Sequence, residues 1–442
     1  MAAADSAKTG DPGALVPPTI PPPHRRTRGV LGTELRRGVG PWSAGAVVVV
    51  CWVTMYGKSP QWMGRWTETT GLLRVMLLIC GPLAVAVGCW QGGRERRRAT
   101  GDLLASLPRA PLRRTLLAVA PAAVWPPAGY LLAAAGCALA TWPYTGGGRP
   151  FLSQTAADAV AMAALGVLGF VAGRLIRWRL AAPLLAAVTY IGLGIPAYAD
   201  SPARWLGPAY QHWYFWDRPV WWFGPASMVW TAGLAGAALL AYAARRRTSA
   251  LLPLTAACAA AVVLTQTGDG LWRPDPAAAR LVCDDGTPRV CVTAVDRKLL
   301  PSVSAALADL NAKLRGVPGA PVRWIDGPRA PGPGEWQLPS PFRLSERGEI
   351  PDPAYYANWA VGYLFSQDCS GTDFDTPAAR RAAAVNDAVR QWLAPHPDTN
   401  IPLPGSEVHL RRLSAMDRAE SRAYLTLYMA ADLCRADQVP VP

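Results

Sequence analysis

Apolar residues fall in long unbroken runs over the first 270 residues of this chain, and at helical or strand spacing after them. Seven runs stand out, at about 42–57, 71–91, 115–141, 156–176, 180–198, 225–244 and 249–266. A helix needs roughly 20 apolar residues, with about 17–25 acceptable, to cross a hydrocarbon core about 30 Å thick. The first run is short and the last is Ala-rich, so the count is six or seven. The pattern predicts an α-helical polytopic membrane protein with a transmembrane domain over 41–270. Residues 1–40 read as a disordered basic cytoplasmic tail, because a stretch rich in Pro, Gly and Thr (Pro21-Pro22-Pro23 among them) buries too little apolar surface to order itself. From 271 to 442 the pattern changes to that of an α/β domain. Val290–Ala294 reads as a strand and Leu299–Leu314 as a helix with Leu299, Leu300, Val303, Ala306, Leu307, Leu310 and Leu314 on or near one face; Pro321–Ile325 reads as a second strand, completing a β-α-β unit. A Pro-rich loop to about 353 follows, then helices at 355–367, 377–393 and 414–435, the last opening on Ser414-x-x-Asp417, a spacing like that of a capping box.

Charge orients these elements. Residues 1–270 hold 25 Lys/Arg against 10 Asp/Glu, whereas 271–442 hold 19 against 20, so the net charge of +14 belongs to the apolar part. The basic residues gather at Arg36/Arg37, Arg94–Arg98, Arg113/Arg114, Arg174/Arg177/Arg179 and Arg245–Arg247; the alternate loops carry only Lys58, Arg65, Arg149, Arg204 and Arg218. By the positive-inside rule the N-terminus is cytoplasmic and, with seven spans, the C-terminal domain is extracytoplasmic. No basic stripe with interleaved aromatics appears, so no nucleic-acid partner is expected; the lipid bilayer is. Cysteine placement agrees. Cys51, Cys80, Cys89, Cys137 and Cys258 lie in apolar runs, where Cys behaves as a small hydrophobe, while Cys283, Cys291, Cys369 and Cys434 lie in the C-terminal domain. Four cysteines in an exported domain read as two disulfides with three pairings open. The turn sequence Asp284-Asp285-Gly286-Thr287-Pro288 favours Cys283–Cys291, leaving Cys369–Cys434 by elimination.

Catalytic chemistry is not legible. The four histidines, His24, His212, His396 and His409, form no His-Glu-x-x-His pair, and no nucleophile elbow or phosphate-binding loop occurs. The chain is therefore expected not to be an enzyme, with no catalytic residue, metal site or cofactor assigned. Intramembrane charge is the next place to look, because it is costly and often functional. Arg74 and Asp158 both stand near the outer boundary of their runs; they either pair across helices or each snorkel to the interface. The loop 199–224, with Trp205, Trp213, Trp216, Trp221 and Trp222, is either an interfacial segment or an aromatic lid over an amphipathic substrate.

The segment Gly92–Leu116 is far longer than two membrane helices need as a joint. Arg97 and Arg98 lead into Thr100-Gly101, Asp102, the paired Leu103 and Leu104, then Leu107 and Pro108. Leu103, Leu104 and Leu107 make an apolar face too small to be a core, suited to a partner's groove. This segment resembles the cytoplasmic loop between the second and third spans of exporter-type ATP-binding-cassette permeases. The resemblance implies a short helix docking on a cytosolic ATPase subunit through Arg97, Arg98, Asp102, Leu103, Leu104, Leu107 and Pro108. It also implies a second permease subunit or a homodimer. The resemblance is strict over about 25 residues and loose over 70–245, and seven spans depart from the family's six. The arrangement is also similar to that of actinobacterial permease-like proteins with an exported α/β tail; in some of those the tail resembles a metallopeptidase, whose zinc motif is missing here. The expected function is thus a permease subunit exporting a lipophilic molecule, peptide or antibiotic. The alternative is a membrane-anchored sensor or assembly protein whose exported domain binds a ligand or partner.

Overall fold

A computed structural model describes residues 31–36, 38–99, 110–212, 216–367, 376–397 and 402–442. The membrane-compatible part comprises α1 (Gly40–Gly57), α2 (Trp66–Val75), α3 (Leu77–Gly92), α4 (Pro111–Thr141), α5 (Leu152–Leu175), α6 (Ala181–Tyr198), α7 (Phe223–Ala243) and α8 (Leu251–Thr267). Among the described residues six helices are long and apolar enough to cross a membrane, or seven if α2 and α3, bent by 41° at Met76, make one broken span. Each coincides with one of the seven apolar runs. Helices are forced here because hydrocarbon offers no partner to a free backbone N–H or C=O. Pro183 and Pro253 sit in the first turns of α6 and α8, where the missing N–H would have had no helical partner anyway. Pro82, Pro121, Pro126, Pro127 and Pro196 lie inside helices.

The bundle is built around α3, α4 and α5, and glycine sets how closely they approach. A Cβ placed on Gly88 would lie 2.1 Å from the Gly166 carbonyl oxygen, and one on Gly92 2.2 Å from that of Phe170. From the other side, Cβ atoms on Gly169 and Gly173 would meet the Val85 and Cys89 oxygens at 2.2 and 2.1 Å. Gly88-x-x-x-Gly92 on α3 therefore interlocks with Gly169-x-x-x-Gly173 on α5, backbone against backbone. Helices α6, α7 and α8 are peripheral: only 11–22% of their apolar windows is buried, against 61% for α5.

The C-terminal unit is α/β. Its sheet has strand order β3 (Leu281–Cys283), β4 (Arg289–Thr293), β5 (Arg323–Ile325), β6 (Glu335–Gln337); β3 is antiparallel to β4, and β4, β5 and β6 run parallel. Helices α9 (Leu300–Ala306) and α10 (Ala308–Leu314) form the crossover from β4 to β5, as the β-α-β reading predicts, broken at Leu307. They cover the sheet with Val303, Leu307, Leu310 and Leu314, which pack with Trp324 of β5 and with Tyr356, Val385, Leu413 and Leu425, one each from α11 (Pro353–Leu364), α12 (Pro377–Leu393), α13 (Ser406–Ala415) and α14 (Arg418–Ala430). A short ribbon, β1 (Asp217–Pro219) with β2 (Trp272–Pro274), joins the loop after α6 to the segment after α8.

Three expectations need correction. Residues 31–36 are helical and fastened to the bundle, Glu34 to Arg94 at 2.8 Å and the Leu35 carbonyl to the Trp125 indole N–H, so this part of the stretch assigned to a disordered tail is ordered. The helix expected at 414–435 is α14, which runs only from Arg418 to Ala430, while Ser414 and Ala415 end α13. Its true cap is Asp417, which accepts from the Ala419 and Glu420 N–H groups while Glu420 reaches back to the Asp417 N–H; the Ser414 hydroxyl bonds the Leu410 carbonyl instead. The stretch expected to be loop up to 353 contains β6.

Candidate functional site

The densest buried charge lies where the α/β unit meets the bundle. Parallel strands bring their carboxyl ends to one edge of a sheet, the edge at which such sheets present polar groups to ligands. Here that edge carries Thr293 at the end of β4, Asp296 just beyond it and Asp326 directly after β5. It faces Arg65, in the turn before α2. The Arg65 guanidinium makes a two-pronged contact with Asp296, Nε to Oδ1 at 2.7 Å and Nη2 to Oδ2, and lies 4.4 Å over the Phe342 ring. Both charged side chains are only 2% exposed. The Thr293 hydroxyl donates to Asp296 Oδ2 at 3.1 Å. Asp326 is 3% exposed and one of its oxygens has no hydrogen-bond partner. Burial, and then the negative charge of Asp296, push its carboxyl up to about 7 against the pull of Arg65 and Thr293. The latch is reinforced by the backbone, Gly146 N–H to Val295 C=O at 3.2 Å, and by Lys298 Nζ donating to the Pro143 carbonyl.

Beside this latch opens a cavity of about 550 Å³ between α2, the end of α6, the loop after it and the segment Pro341–Leu344. Glu68, Leu72 and Val75 of α2 form its inner wall, Ala197, Tyr198, Ala209 and Gln211 another, and Lys58, Gln61, Phe342 and Arg343 complete it. Glu68 is 6% exposed, and its Oε1 has no hydrogen-bond partner. Lys58, Gln61, Tyr198 and Arg343 are exposed and form the rim.

The structure brings Arg74 and Asp158 together. Arg74 Nε lies 3.8 Å from Asp158 Oδ1, and both are buried within the bundle, so neither reaches for the interface. Arg74 also donates to Gln154 Oε1 and lies 5.4 Å over the Phe223 ring, and the Tyr130 hydroxyl donates to Asp158 Oδ2 at 3.1 Å. Helices α2, α4, α5 and α7 thus converge on one polar cluster.

The basic corner lies at the opposite end of the bundle. Arg94 pairs with Glu34, Glu95 with Arg174, and Arg96 donates to the Gly173, Arg174 and Ile176 carbonyls, covering the C-terminus of α5. Arg97 stacks 4.0 Å over Trp90 and donates to its carbonyl; Arg98 is exposed. Asp102, Leu103, Leu104, Leu107 and Pro108 lie outside the described residues.

In the α/β unit Cys283 and Cys291 are paired across β3 and β4 in a disulfide. Cys434 is also disulfide-bonded, and Cys369 lies outside the described residues. Of the aromatic loop, Trp205 is buried with Phe223, Leu264 and Leu271, whereas Trp221 is 83% exposed; among its described residues the loop lends the cavity Ala209 and Gln211. Trp213 lies outside the described residues.

Sequence reasoning missed Arg65, Glu68, Asp296 and Asp326. A signal existed for two of them, since Asp296 and Asp326 follow the strands expected at 290–294 and 321–325. Among the described residues no three His, Cys, Asp or Glu side chains are grouped to hold a metal ion. Comparison of the chain with protein-family models, with curated proteins and with solved structures finds no match.

Proposed function

We propose that the chain is a membrane-spanning permease subunit of an ATP-driven transporter, exporting a lipophilic molecule, peptide or antibiotic. It would work with a cytosolic ATPase subunit and a second permease subunit or a second copy of itself. The observation that carries this reading is the anchoring of the basic corner. Residues 94–97, from which the leucine-bearing segment departs, are tied by Arg96 and by Glu95–Arg174 to the end of α5. Helix α5 interlocks with α3 through glycine, so a push on that segment would reach the tightest helix pair of the bundle directly. A loop serving only as a joint has no use for such bracing. The largely uncovered apolar surface of α6–α8 offers room for a second subunit. In this reading the corner faces the cytoplasm and the α/β domain lies outside, in keeping with the charge asymmetry between the two ends.

The test concerns the uncharged residues, since orientation alone accounts for the arginines. Each leucine buried in a partner's groove would contribute roughly 1.5–3 kcal/mol to docking. Leu103→Asp combined with Leu107→Asp should leave insertion and expression intact but abolish co-purification of an ATPase subunit. Unchanged co-purification would instead place these leucines in the inner leaflet, with the arginines on anionic headgroups. A second reading, a membrane-anchored sensor or assembly protein, draws support from the Arg65–Asp296 latch, which couples the α/β unit rigidly to the bundle.

A further inference from the structure

We propose that the cavity at the basic corner is a binding site for the headgroup of an anionic phospholipid, seated between the 31–36 helix, the start of α1 and the arginine-rich segment that follows α3. Three features lead there.

The first is that the arginines share one cavity. It measures about 540 Å³, and Arg94, Arg97 and Arg98 line it against a single carboxylate, that of Glu34. Glu34 is already matched: Arg94 Nη2 holds its Oε1 at 2.8 Å, and its Oε2 is buried. Arg97 is held by neutral groups. It donates to the Trp90 carbonyl and lies over the Trp90 ring, which fixes its guanidinium without cancelling the charge. Arg98 makes no hydrogen bond or ion pair among the described residues. The other acid of this corner, Glu95, pairs with Arg174. Burial, and then the Arg96 guanidinium, hold Arg97 below its ordinary value, and Arg98 pushes the same way. Guanidiniums crowded in this manner favour an anion between them, and a phosphate fits their paired donors. Membrane orientation accounts for the sign of these charges but not for their convergence.

The second is Gln91. It lines the same cavity, is 9% exposed, and its amide makes no hydrogen bond among the described residues. A buried amide without partners is costly, and such groups persist where something supplies the missing bonds. Its two N–H donors suit a phosphate oxygen beside the arginines.

The third is the level at which the cavity lies. Val39 immediately precedes α1, and Trp90 and Gln91 stand in the last turn of α3, so the cavity sits at the ends of two candidate spans. Val39, Trp42 and Trp90 are exposed there. Tryptophan favours headgroup level, where one end of the ring is apolar and the other wet. A free phosphate would use the guanidiniums and leave this apolar flank idle. A phospholipid uses both, its chains continuing along the spans.

The site does not rest on the permease reading. It is the same whether the leucines that follow fill a partner's groove or the leaflet. The experiment uses the full chain purified in detergent. Native mass spectrometry would measure retention of phosphatidylglycerol and phosphatidylcholine of one chain length at equal concentration, with and without glycerol phosphate as competitor. Phosphatidylcholine carries the same phosphate but brings a cation to the arginines. Phosphatidylglycerol should be retained at least about tenfold more tightly, the size expected for charge-assisted hydrogen bonds. Arg98→Gln, at a side chain with no bond of its own, should cut that preference several-fold with thermal unfolding unchanged. Arg97→Gln combined with Arg98→Gln should abolish it. Arg177→Gln combined with Arg179→Gln removes equal charge from exposed positions at the same end of the bundle and should leave it intact. Equal retention of the two lipids, a preference that survives Arg98→Gln, or one that falls equally in the Arg177/Arg179 variant overturns the proposal. Displacement of the lipid by an equal concentration of glycerol phosphate would assign the cavity to a soluble phosphate and overturn it as well.

Discussion

At the scale of single residues the buried charges Arg74–Asp158 and Asp326 behave differently. Arg74 and Asp158 are partners inside the bundle, with Gln154 and Tyr130 completing the shell. Removing one member of a buried pair strands the other, which typically costs about 3–5 kcal/mol, whereas removing both can be nearly neutral. Asp158→Ala should therefore lower unfolding stability in detergent by about that amount, and adding Arg74→Met should restore much of it. A double variant no better than the single would mean that the pair is not the source of the cost. Asp326 is a titration problem rather than a pairing one. Its carboxyl is raised in the folded protein to about 7, far above the usual value near 3.8, so between those values the folded state holds a proton that the unfolded chain has lost. The stability it contributes is complete below about pH 4, declines as pH rises, and is gone above about pH 7. Asp326→Asn should accordingly gain on the wild type as pH rises from 4 to 7, with the gap level beyond. Thermal unfolding across that range checks it, and a gap that narrows with rising pH would contradict the assignment.

At the scale of elements the decisive contact is that of α3 with α5. Lipid tails are as apolar as leucine, so helices in a membrane do not associate for want of water; they associate because small residues let backbones touch. Gly88, Gly92, Gly169 and Gly173 leave no room for a Cβ against the facing carbonyls. Gly169→Val should force the two helices apart, at a cost of at least about 1–3 kcal/mol. Gly192 on the uncovered helix α6 meets nothing within 4 Å of a Cβ, so Gly192→Val should be tolerated. Comparing the two variants in a detergent-unfolding titration separates close packing from any general effect of valine. The basic corner belongs to this scale as well. Four arginines look interchangeable as topogenic charge, but Arg94, Arg96 and Arg97 each hold a different neighbour: Glu34, the end of α5 and Trp90.

At the scale of the whole molecule the question is which side of the membrane each end occupies. The loops beneath the α/β unit, around residues 58–65, 142–151 and 199–222, are the ones poor in Lys and Arg, and the opposite end carries the arginine clusters. A reporter that works only outside the cytoplasm, fused after Pro442, should therefore be active; activity only from a cytoplasmic reporter would invert the proposed orientation. The Arg65–Asp296 pair ties the α/β unit to the turn before α2.

The apolar runs alone placed the six or seven candidate spans, because crossing a membrane requires length and hydropathy and little else. Helix α12 and the β-α-β unit were equally legible, since their apolar residues follow the period of a helix or strand. Gly88-x-x-x-Gly92 and Gly169-x-x-x-Gly173 were written in the chain too, although which glycine faces which needs the fold. The junction was not legible. Arg65 and Asp296 are separated by 231 positions, and nothing local in either marks a partner, because an ion pair between two units depends on how whole elements dock. For the same reason Glu68 reads in sequence as an ordinary acid in the first turn of a helix. Only the tertiary structure, by closing α2, α6 and the Phe342 segment around it, takes it out of water and leaves it facing a cavity.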